Sequence, residues 1–375
     1  MGGSPVTPVY DASAHEPLTD TPWHAEHALA GIAAIVADAE RAVGPAFWPN
    51  HPLDDDAAKP LPDGLTTIYL GAAGMIWALR RLGSSLPLAE LADRALARYR
   101  ARPDFGEDVP SMLMGETGIL LVARIVGGEV ADDERLRTRI RENERNPVWE
   151  LMWGSPGTIL VAREAGLEDE ASRSAALLAD ACEEDGLWTQ DLYGSQARYL
   201  GPVHGFAGNV HALRGHLSDD ELRTRIEGPL RRYAVVDGPL VNWLPAVGAP
   251  SPSRLQWCHG SPGIVATLGD LLPSDLLLGG AELTWHAGPL AKGPGLCHGT
   301  AGNGYALLRA HTVTGDEVWL ERARRFAMHA LEQVERMRER HERGRFTFHT
   351  GDVGAALFAR SCVDADSRFP TMDVW

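Results

Sequence analysis

Long apolar runs and an excess of basic charge are both missing from this sequence of 375 residues. No apolar stretch approaches the roughly 20 residues that a membrane-spanning helix needs. The chain has 51 acidic against 35 basic residues, a net charge of −16, which argues against binding to nucleic acid or to an anionic membrane. The N-terminus has neither the basic start nor the apolar core of a signal peptide. We therefore expect a cytoplasmic protein whose residues 1–22 form a poorly ordered tail.

Cysteine is also scarce, with only four residues in the chain. Four cysteines are too few for a disulfide scaffold, and in a cytoplasmic protein Cys beside His more often indicates a metal or catalytic site. Cys258 and Cys297 stand in similar settings, QWCHGSPG and GLCHGTAG. Cys182 and Cys362 lack such a setting, and we expect them to be core or incidental residues.

Glycine, in contrast, recurs in a Gly-x-x-Gly unit that leads into an apolar stretch each time. Two glycines one helical turn apart allow the start of a helix to pack closely against its neighbours. The intervals between first glycines are 44, 39, 51, 55, 39 and 52 residues, which indicates an internal repeat. The seven copies lie at 71–74, 115–118, 154–157, 205–208, 260–263, 299–302 and 351–354.

Amphipathic segments with charged faces lie between the apolar stretches, so outer and inner helices are expected to alternate. Each helix pair cannot bury its apolar face alone, and the pairs must stack. Strand signals are limited to short stretches such as RFTFHT (345–350). We predict one all-α domain, residues 23–375, in which about seven helix pairs close into a double-layered α/α barrel with the Gly-x-x-Gly turns at one end. An open solenoid is the alternative. These are the predicted outer helices: 23–42, 86–101, 132–143, 169–184, 218–236 and 316–340.

Three neighbouring copies carry a histidine directly before their first glycine, namely His204, His259 and His298, and two of these follow Cys258 and Cys297. Turns from neighbouring helix pairs in a ring can converge on one point. Two thiolates and one imidazole suit Zn²⁺, and three protein ligands leave the open position typical of a catalytic zinc. Alternatively, each cysteine is a small buried apolar residue and His204 is structural.

The motifs WCHGSPG, GLCHGTAGN and VHGFAGN, with the sevenfold Gly-x-x-Gly pattern, resemble the lanthionine synthetase C family over residues 20–375. That family includes bacterial lanthipeptide cyclases and eukaryotic lanthionine synthetase C-like proteins. The resemblance implies an α,α-toroid, zinc held by Cys258, Cys297 and His298, and His204 as the acid/base near the metal. The sequence CHGTAGNGYALL is closer to the eukaryotic, glutathione-linked branch, whereas many cyclases have Tyr where this chain has His259.

Four further residues acquire roles from the resemblance. Arg254 would stabilise an enolate or orient the site, Glu150 would hold a histidine tautomer or steer the arginine, and Lys292 would bind a glutathione carboxylate. His259 is either a second acid/base or packs behind Cys258. The simpler alternatives are a rim ion pair for Arg254, a helix cap for Glu150 and a solvated surface position for Lys292.

The implied activity is the addition of a cysteine thiol to dehydroalanine or dehydrobutyrine, which forms a thioether. The reaction either closes rings within a precursor peptide or joins glutathione to a dehydrated peptide or protein. A separate dehydratase or kinase would make the dehydrated residue. The alternative is a non-catalytic zinc scaffold that binds glutathione or a peptide. Protein prenyltransferases use another zinc motif, and a glycosidase would need two rim carboxylates, which the repeats do not show as an equivalent pair.

Overall fold

The computed structural model describes residues 9–54, 61–129, 132–251 and 254–375, and these contain fourteen α-helices in two alternating layers. The outer helices are α1 (Ala25–Ala42), α3 (Leu88–Ala101), α5 (Asp133–Asn143), α7 (Glu168–Asp180), α9 (Asp219–Tyr233), α11 (Ser274–Ala287) and α13 (Glu317–His341). The inner helices are α2 (Ala72–Arg81), α4 (Glu116–Val126), α6 (Ser155–Glu164), α8 (Phe206–Ala212), α10 (Ser261–Leu268), α12 (Thr300–Thr314) and α14 (Asp352–Asp364).

The two layers differ in how much of each helix is buried. Inner helix α4 is buried on every side from Glu116 to Ala123. Outer helix α3 buries one stripe, at helical spacing, and exposes its charged face. An apolar stripe of this kind packs one face of a helix on a core. The inner layer is therefore the core of the ring, and the outer layer covers it.

The inner helices form a closed ring. Each contacts the next along the chain, and α14 returns to contact α2, while α1 packs on α13 and α14. This closure excludes the open solenoid and confirms the predicted α,α-toroid of seven helix pairs. None of the helices in the described ranges combines the length and apolar character needed to cross a membrane.

Every inner helix begins directly after the first glycine of a Gly-x-x-Gly copy. Because an outer helix returns the chain each time, all seven inner helices start at the same end of the ring. The second glycine permits a close approach. A Cβ at Gly118 or Gly263 would overlap the carbonyl oxygen of Met112 or Trp257, six residues earlier. The turn thus folds tightly onto its own helix, and a side chain there would push it away.

Backbone hydrogen bonds join neighbouring turns two residues before the first glycine. The Tyr69 amide donates to the Leu113 carbonyl (3.0 Å), that of Cys258 to Cys297 (3.1 Å), and that of Cys297 to His349 (2.8 Å). Residues at the same repeat position are therefore held side by side. The two cysteines are adjacent because their turns are joined in this way.

The structure differs from the sequence-based expectation in two elements. Outer helix α11 was not predicted, since its sequence SDLLLGGAELTWHA has few charged residues to mark an outer face. RFTFHT forms a loop and turn before α14. Within the described residues two short antiparallel hairpins form. β1 (Gln190–Leu192) pairs with β2 (Ser195–Ala197) between the third and fourth copies, and β3 (Ala234–Asp237) pairs with β4 (Leu240–Trp243) between the fourth and fifth.

Of the segment expected to be a tail, residues 9–22 are described, and they lie along α11 and α13. His15 Nδ1 is 2.9 Å from the Gly288 carbonyl oxygen. Glu16 Oε1 lies 2.6 Å from His329 Nε2 and accepts a hydrogen bond from Gln333 (2.8 Å). Residues 1–8 lie outside the described part of the chain. The division into a tail and a toroid domain remains a prediction.

Candidate metal centre

Two neighbouring turns bring together Cys258, Cys297 and His298. The two sulfur atoms and one imidazole nitrogen all lie within 4.8 Å of one another. Both cysteines are buried and His298 is half-buried, so the imidazole side is the accessible one. Two thiols and an imidazole form a donor set that suits Zn²⁺. The three residues predicted as ligands could therefore hold a metal ion.

The two thiols are electrostatically unequal. Burial raises the pKa of Cys258, but hydrogen bonds with Cys297 and His298 outweigh it and hold that pKa well below its usual value. The hydrogen bond to Cys258, together with burial, raises the pKa of Cys297. Gln256 Nε2 also donates to the Cys258 sulfur at 2.8 Å. The surroundings thus favour a thiolate at Cys258, which is the form that binds a metal.

His204 is coupled to Glu150 next to this centre. Its Nδ1 donates to Glu150 Oε2 at 3.0 Å, and Glu150 is completely buried. Burial lowers the pKa of His204, but the hydrogen bond and the charge of Glu150 more than compensate, and the net shift is upward. The other carboxylate contacts are the backbone amides of Met152 and Trp153. Glu150 therefore both holds the histidine and caps its own turn.

His259 packs against His204. Their ring centroids are 5.6 Å apart in a stacked arrangement. His259 is buried, and its Nδ1 has no hydrogen-bond partner among the described residues. Burial lowers the pKa of His259 to about 4, so the ring is neutral at pH 7. The structure thus brings His259 beside both Cys258 and His204.

Arg254 and Lys292 lie at the exposed edge of the centre. Arg254 makes no hydrogen bond or ion pair with another described residue, and its charge acts on both His204 and His259. The rim ion pair considered for it does not form within the described ranges. The charge of Lys292 acts on Cys297. Both cations are thus near enough to influence the central groups.

Tyr69 and His349 belong to the centre, and sequence reasoning missed them. Tyr69 is in hydrogen-bonding reach of the Cys297 thiol, and its ring stacks on His349 with centroids 4.8 Å apart. Burial lowers the pKa of His349 to about 3. The signal was available, because both residues stand two positions before the first glycine of their copies, as Cys258 and Cys297 do.

The structure keeps the other two cysteines away from the cluster. Cys362 is buried in α14, and Cys182 is half-buried after the end of α7. Burial raises the pKa of both thiols, which makes them weak nucleophiles.

Comparison with curated proteins identifies relatives in animals and plants. The chain is 33% identical over 143 residues to the Glutathione S-transferase LANCL1 of Danio rerio, a match that covers 35% of each protein. It is 29% identical over 191 residues to the LanC-like protein GCL1 of Arabidopsis thaliana, across 47% of this chain and 44% of that protein. The matched segments thus span less than half the length of these curated relatives.

Comparison with solved structures identifies the same architecture. Nisin cyclase superposes with a TM-score of 0.62 at 14% identity, over 90% of this chain and 94% of that one. This likeness shows the fold. The profile of the lanthionine synthetase C-like proteins matches residues 62–374, which is most of the chain. The protein therefore belongs to the lanthionine synthetase C-like family.

Proposed function

We propose that this protein adds a cysteine thiol to dehydroalanine or dehydrobutyrine in a peptide or protein, in a zinc-dependent reaction that forms a thioether. The observation that carries the proposal is the position of the His204–Glu150 pair beside the Cys258, Cys297 and His298 cluster. A metal-ligand set and a proton donor are the two elements that this addition needs.

Cys258, Cys297 and His298 would hold the metal. A bound Zn²⁺ would supply a site at which the incoming thiol is deprotonated and remains nucleophilic. Tyr69, through its contact with Cys297, and Gln256, through its contact with Cys258, would orient the two cysteine ligands.

The protein side chains would complete the addition. The sulfur bonds to the β-carbon of the dehydroamino acid, and the electrons of the double bond move to the α-carbon and its carbonyl. His204, held by Glu150, donates the proton that the α-carbon then takes up. Arg254 is free of a carboxylate partner in the described ranges, so its charge is available to the developing enolate. His259, neutral and buried, would pack between Cys258 and His204 or act as a second acid/base.

Glutathione is the thiol donor that we favour over a cysteine of the same peptide. The relative from Danio rerio is named a glutathione S-transferase, which favours glutathione as the thiol donor. Lys292 at the exposed edge supplies a cation for a glutathione carboxylate. A separate dehydratase or kinase would generate the electrophile. A non-catalytic scaffold that binds glutathione or a peptide is the alternative.

The test compares three variants in the addition of glutathione to a dehydroalanine peptide. We expect Cys297→Ala to lose both bound zinc and activity. His204→Asn should retain zinc and react about 10²- to 10⁴-fold more slowly, because it lacks the proton donor. Leu278→Ala, on outer helix α11, should match the wild type. Zinc retained at full stoichiometry by Cys297→Ala would refute the ligand assignment, and wild-type rates in His204→Asn would refute the role of His204.

A further inference from the structure

Three aromatic side chains form one surface at the end of the ring where the inner helices begin: Phe105 and Tyr193 are exposed, and the half-buried Trp153 contacts both. This aromatic platform consists of Phe105, Trp153 and Tyr193. The Phe105 and Trp153 rings meet edge to face with centroids 6.2 Å apart. Trp153 Nε1 donates a hydrogen bond to the Tyr193 hydroxyl at 3.1 Å. This bond satisfies the indole N–H, so the platform offers mainly apolar ring surface to a ligand, with the Tyr193 hydroxyl at its edge.

The exposure of these side chains is unusual in this chain. Among the described residues, Phe105 and Tyr193 are the aromatic members of the exposed large apolar side chains, at 40% and 72% exposure. Both contact the same tryptophan, whereas aliphatic residues elsewhere on the surface need no explanation. Clustered aromatic side chains are the composition typical of a binding surface.

Tyr193 adopts a backbone conformation that disfavours its side chain. It lies at the tip of the β1–β2 hairpin with φ of +56°, in the left-handed region where Gly or Asn is the usual choice. The hairpin itself is fastened to the ring. Gln190 donates to the Trp149 carbonyl (3.2 Å) and accepts from the Tyr199 amide (2.9 Å). A rigid hairpin therefore presents a large aromatic ring at a position where a small residue would be less strained.

The platform is continuous with the groups that we assign to proton transfer. The backbone amide of Trp153 binds one oxygen of Glu150, and the other oxygen binds His204. A ligand on the platform therefore lies next to the Glu150–His204 pair, which is where the molecule that receives the proton, the electrophile, must lie.

Charge at the platform also distinguishes between the two substrates. Glu107 and Asp191 are exposed two residues from Phe105 and Tyr193 and make no ion pair with another described residue. Glutathione is acidic and has no apolar side chain, so it fits this surface poorly. A neutral or basic peptide segment with a bulky side chain fits it well.

We infer that the aromatic platform binds the dehydrated peptide by a bulky apolar side chain that flanks the dehydroamino acid in its sequence. The inference rests on the proposed function and deepens it. The electrophile is a peptide segment selected by its flanking residue, and the thiol donor is bound elsewhere in the centre.

The experiment uses two neutral dehydroalanine peptides that differ only in a Phe or a Ser two residues from the dehydroalanine. We expect kcat/KM with glutathione to favour the Phe peptide about tenfold in the wild type, the scale of one or two aromatic contacts. In the double variant Phe105→Ala/Tyr193→Asn, this ratio should fall to near one. Asn suits the left-handed turn, so the hairpin is preserved. Leu278→Ala should keep the wild-type ratio.

Binding of the saturated peptides, with Ala in place of dehydroalanine, separates this inference from the proposed function. Fluorescence anisotropy should show tighter binding of the Phe peptide to the wild type than to the double variant. If thioethers form but the double variant keeps both the wild-type kcat/KM ratio and the wild-type binding preference for the Phe peptide, the inference is wrong and the proposed function stands. If no thioether forms and the binding preference is still lost in the double variant, the platform binds peptide and the proposed function is wrong.

Discussion

His204 and Glu150 show how the surroundings of a single residue determine its chemistry. A histidine that donates a proton must be protonated, and its contact with the buried carboxylate raises its pKa against the effect of burial. The same carboxylate is held by two backbone amides, so it cannot turn away.

Removing this carboxylate should shift the pH dependence of the addition. In Glu150→Gln the charge that raises the pKa of His204 is gone, so His204 loses its proton at lower pH than in the wild type. Activity should fall as pH rises through the pKa of His204, and this fall should begin at lower pH in the variant. The measurement is kcat/KM for glutathione addition between pH 5 and pH 9 (about the range in which His titrates). Glu134→Gln, at an exposed site, is the control, and an unchanged basic limb in Glu150→Gln would contradict the assignment.

Tyr69 should affect metal binding indirectly, because it contacts the proposed ligand Cys297 without being a ligand itself. Its hydroxyl is in reach of the Cys297 sulfur, and a lost outer contact of this kind weakens metal binding about 10- to 100-fold. We expect Tyr69→Phe to bind zinc more weakly by that order in chelator competition. Tyr99→Phe removes a hydroxyl that bonds to the backbone of Val109 instead, and it should bind zinc as the wild type does.

At the scale of helices and turns, the sequence predicted most of the architecture because the repeat is local. The Gly-x-x-Gly spacing marked the start of all seven inner helices, and charged faces marked six of the seven outer helices. Helix α11 was not predicted because it has few charges. Tyr69 and His349 were not predicted as site residues because they differ in residue type from the cysteines at the same repeat position. Contacts such as those of Phe105, Trp153 and Tyr193 depend on distant segments, which no local pattern reports.

A buried carboxylate ties three consecutive helices together at one of these starts. Glu116, the first residue of α4, accepts from Arg100 of α3 (2.8 Å) and Arg135 of α5 (2.7 Å), with Arg139 at 3.1 Å. Burial raises the pKa of Glu116, but the arginine contacts outweigh it and hold that pKa below its usual value. The ionised form is therefore the one that the fold stabilises.

Glu116→Gln should lower the free energy of unfolding by about 3 kcal/mol at pH 7, since it leaves the arginines without their shared charge. The depressed pKa means that this stabilisation is present at neutral pH and lost as pH falls through the folded-state value. The difference between wild type and variant should thus shrink on acidification, as measured by urea unfolding at several pH values. Glu134→Gln, whose side chain is 77% exposed, should change stability by less than about 0.5 kcal/mol.

At the scale of the whole molecule, the ring concentrates partial positive charge at the end that carries the candidate metal centre. All seven inner helices start there, and helix N-termini carry partial positive charge that stabilises nearby anions.

The C-terminal segment packs beneath this end of the ring. Phe369 stacks on Trp257 with centroids 4.2 Å apart and also contacts Tyr305. Trp257 directly precedes Cys258. Phe369 of the C-terminal segment therefore holds the residue next to Cys258 in place and so supports the candidate metal centre.

Phe369→Ala should accordingly weaken zinc binding as well as stability. Truncating a buried Phe costs about 3–5 kcal/mol, and here the lost ring also leaves Trp257 without its stacking partner. Phe358→Ala is the matched control, because Phe358 is equally buried and contacts Tyr305. We expect similar losses of stability in both variants but weaker zinc binding in Phe369→Ala alone, by chelator competition. Equal zinc affinities would contradict the supporting role of Phe369.

The central claim is that this ring joins a thiol to a dehydroamino acid. The most direct measurement is mass spectrometry of a dehydroalanine peptide after incubation with the zinc-loaded protein and glutathione. We predict that the peptide gains the mass of one glutathione, and that protein stripped of zinc by a chelator leaves the mass unchanged. A peptide whose mass stays the same with zinc-loaded protein, while glutathione or peptide still binds, would contradict the claim and identify a non-catalytic scaffold.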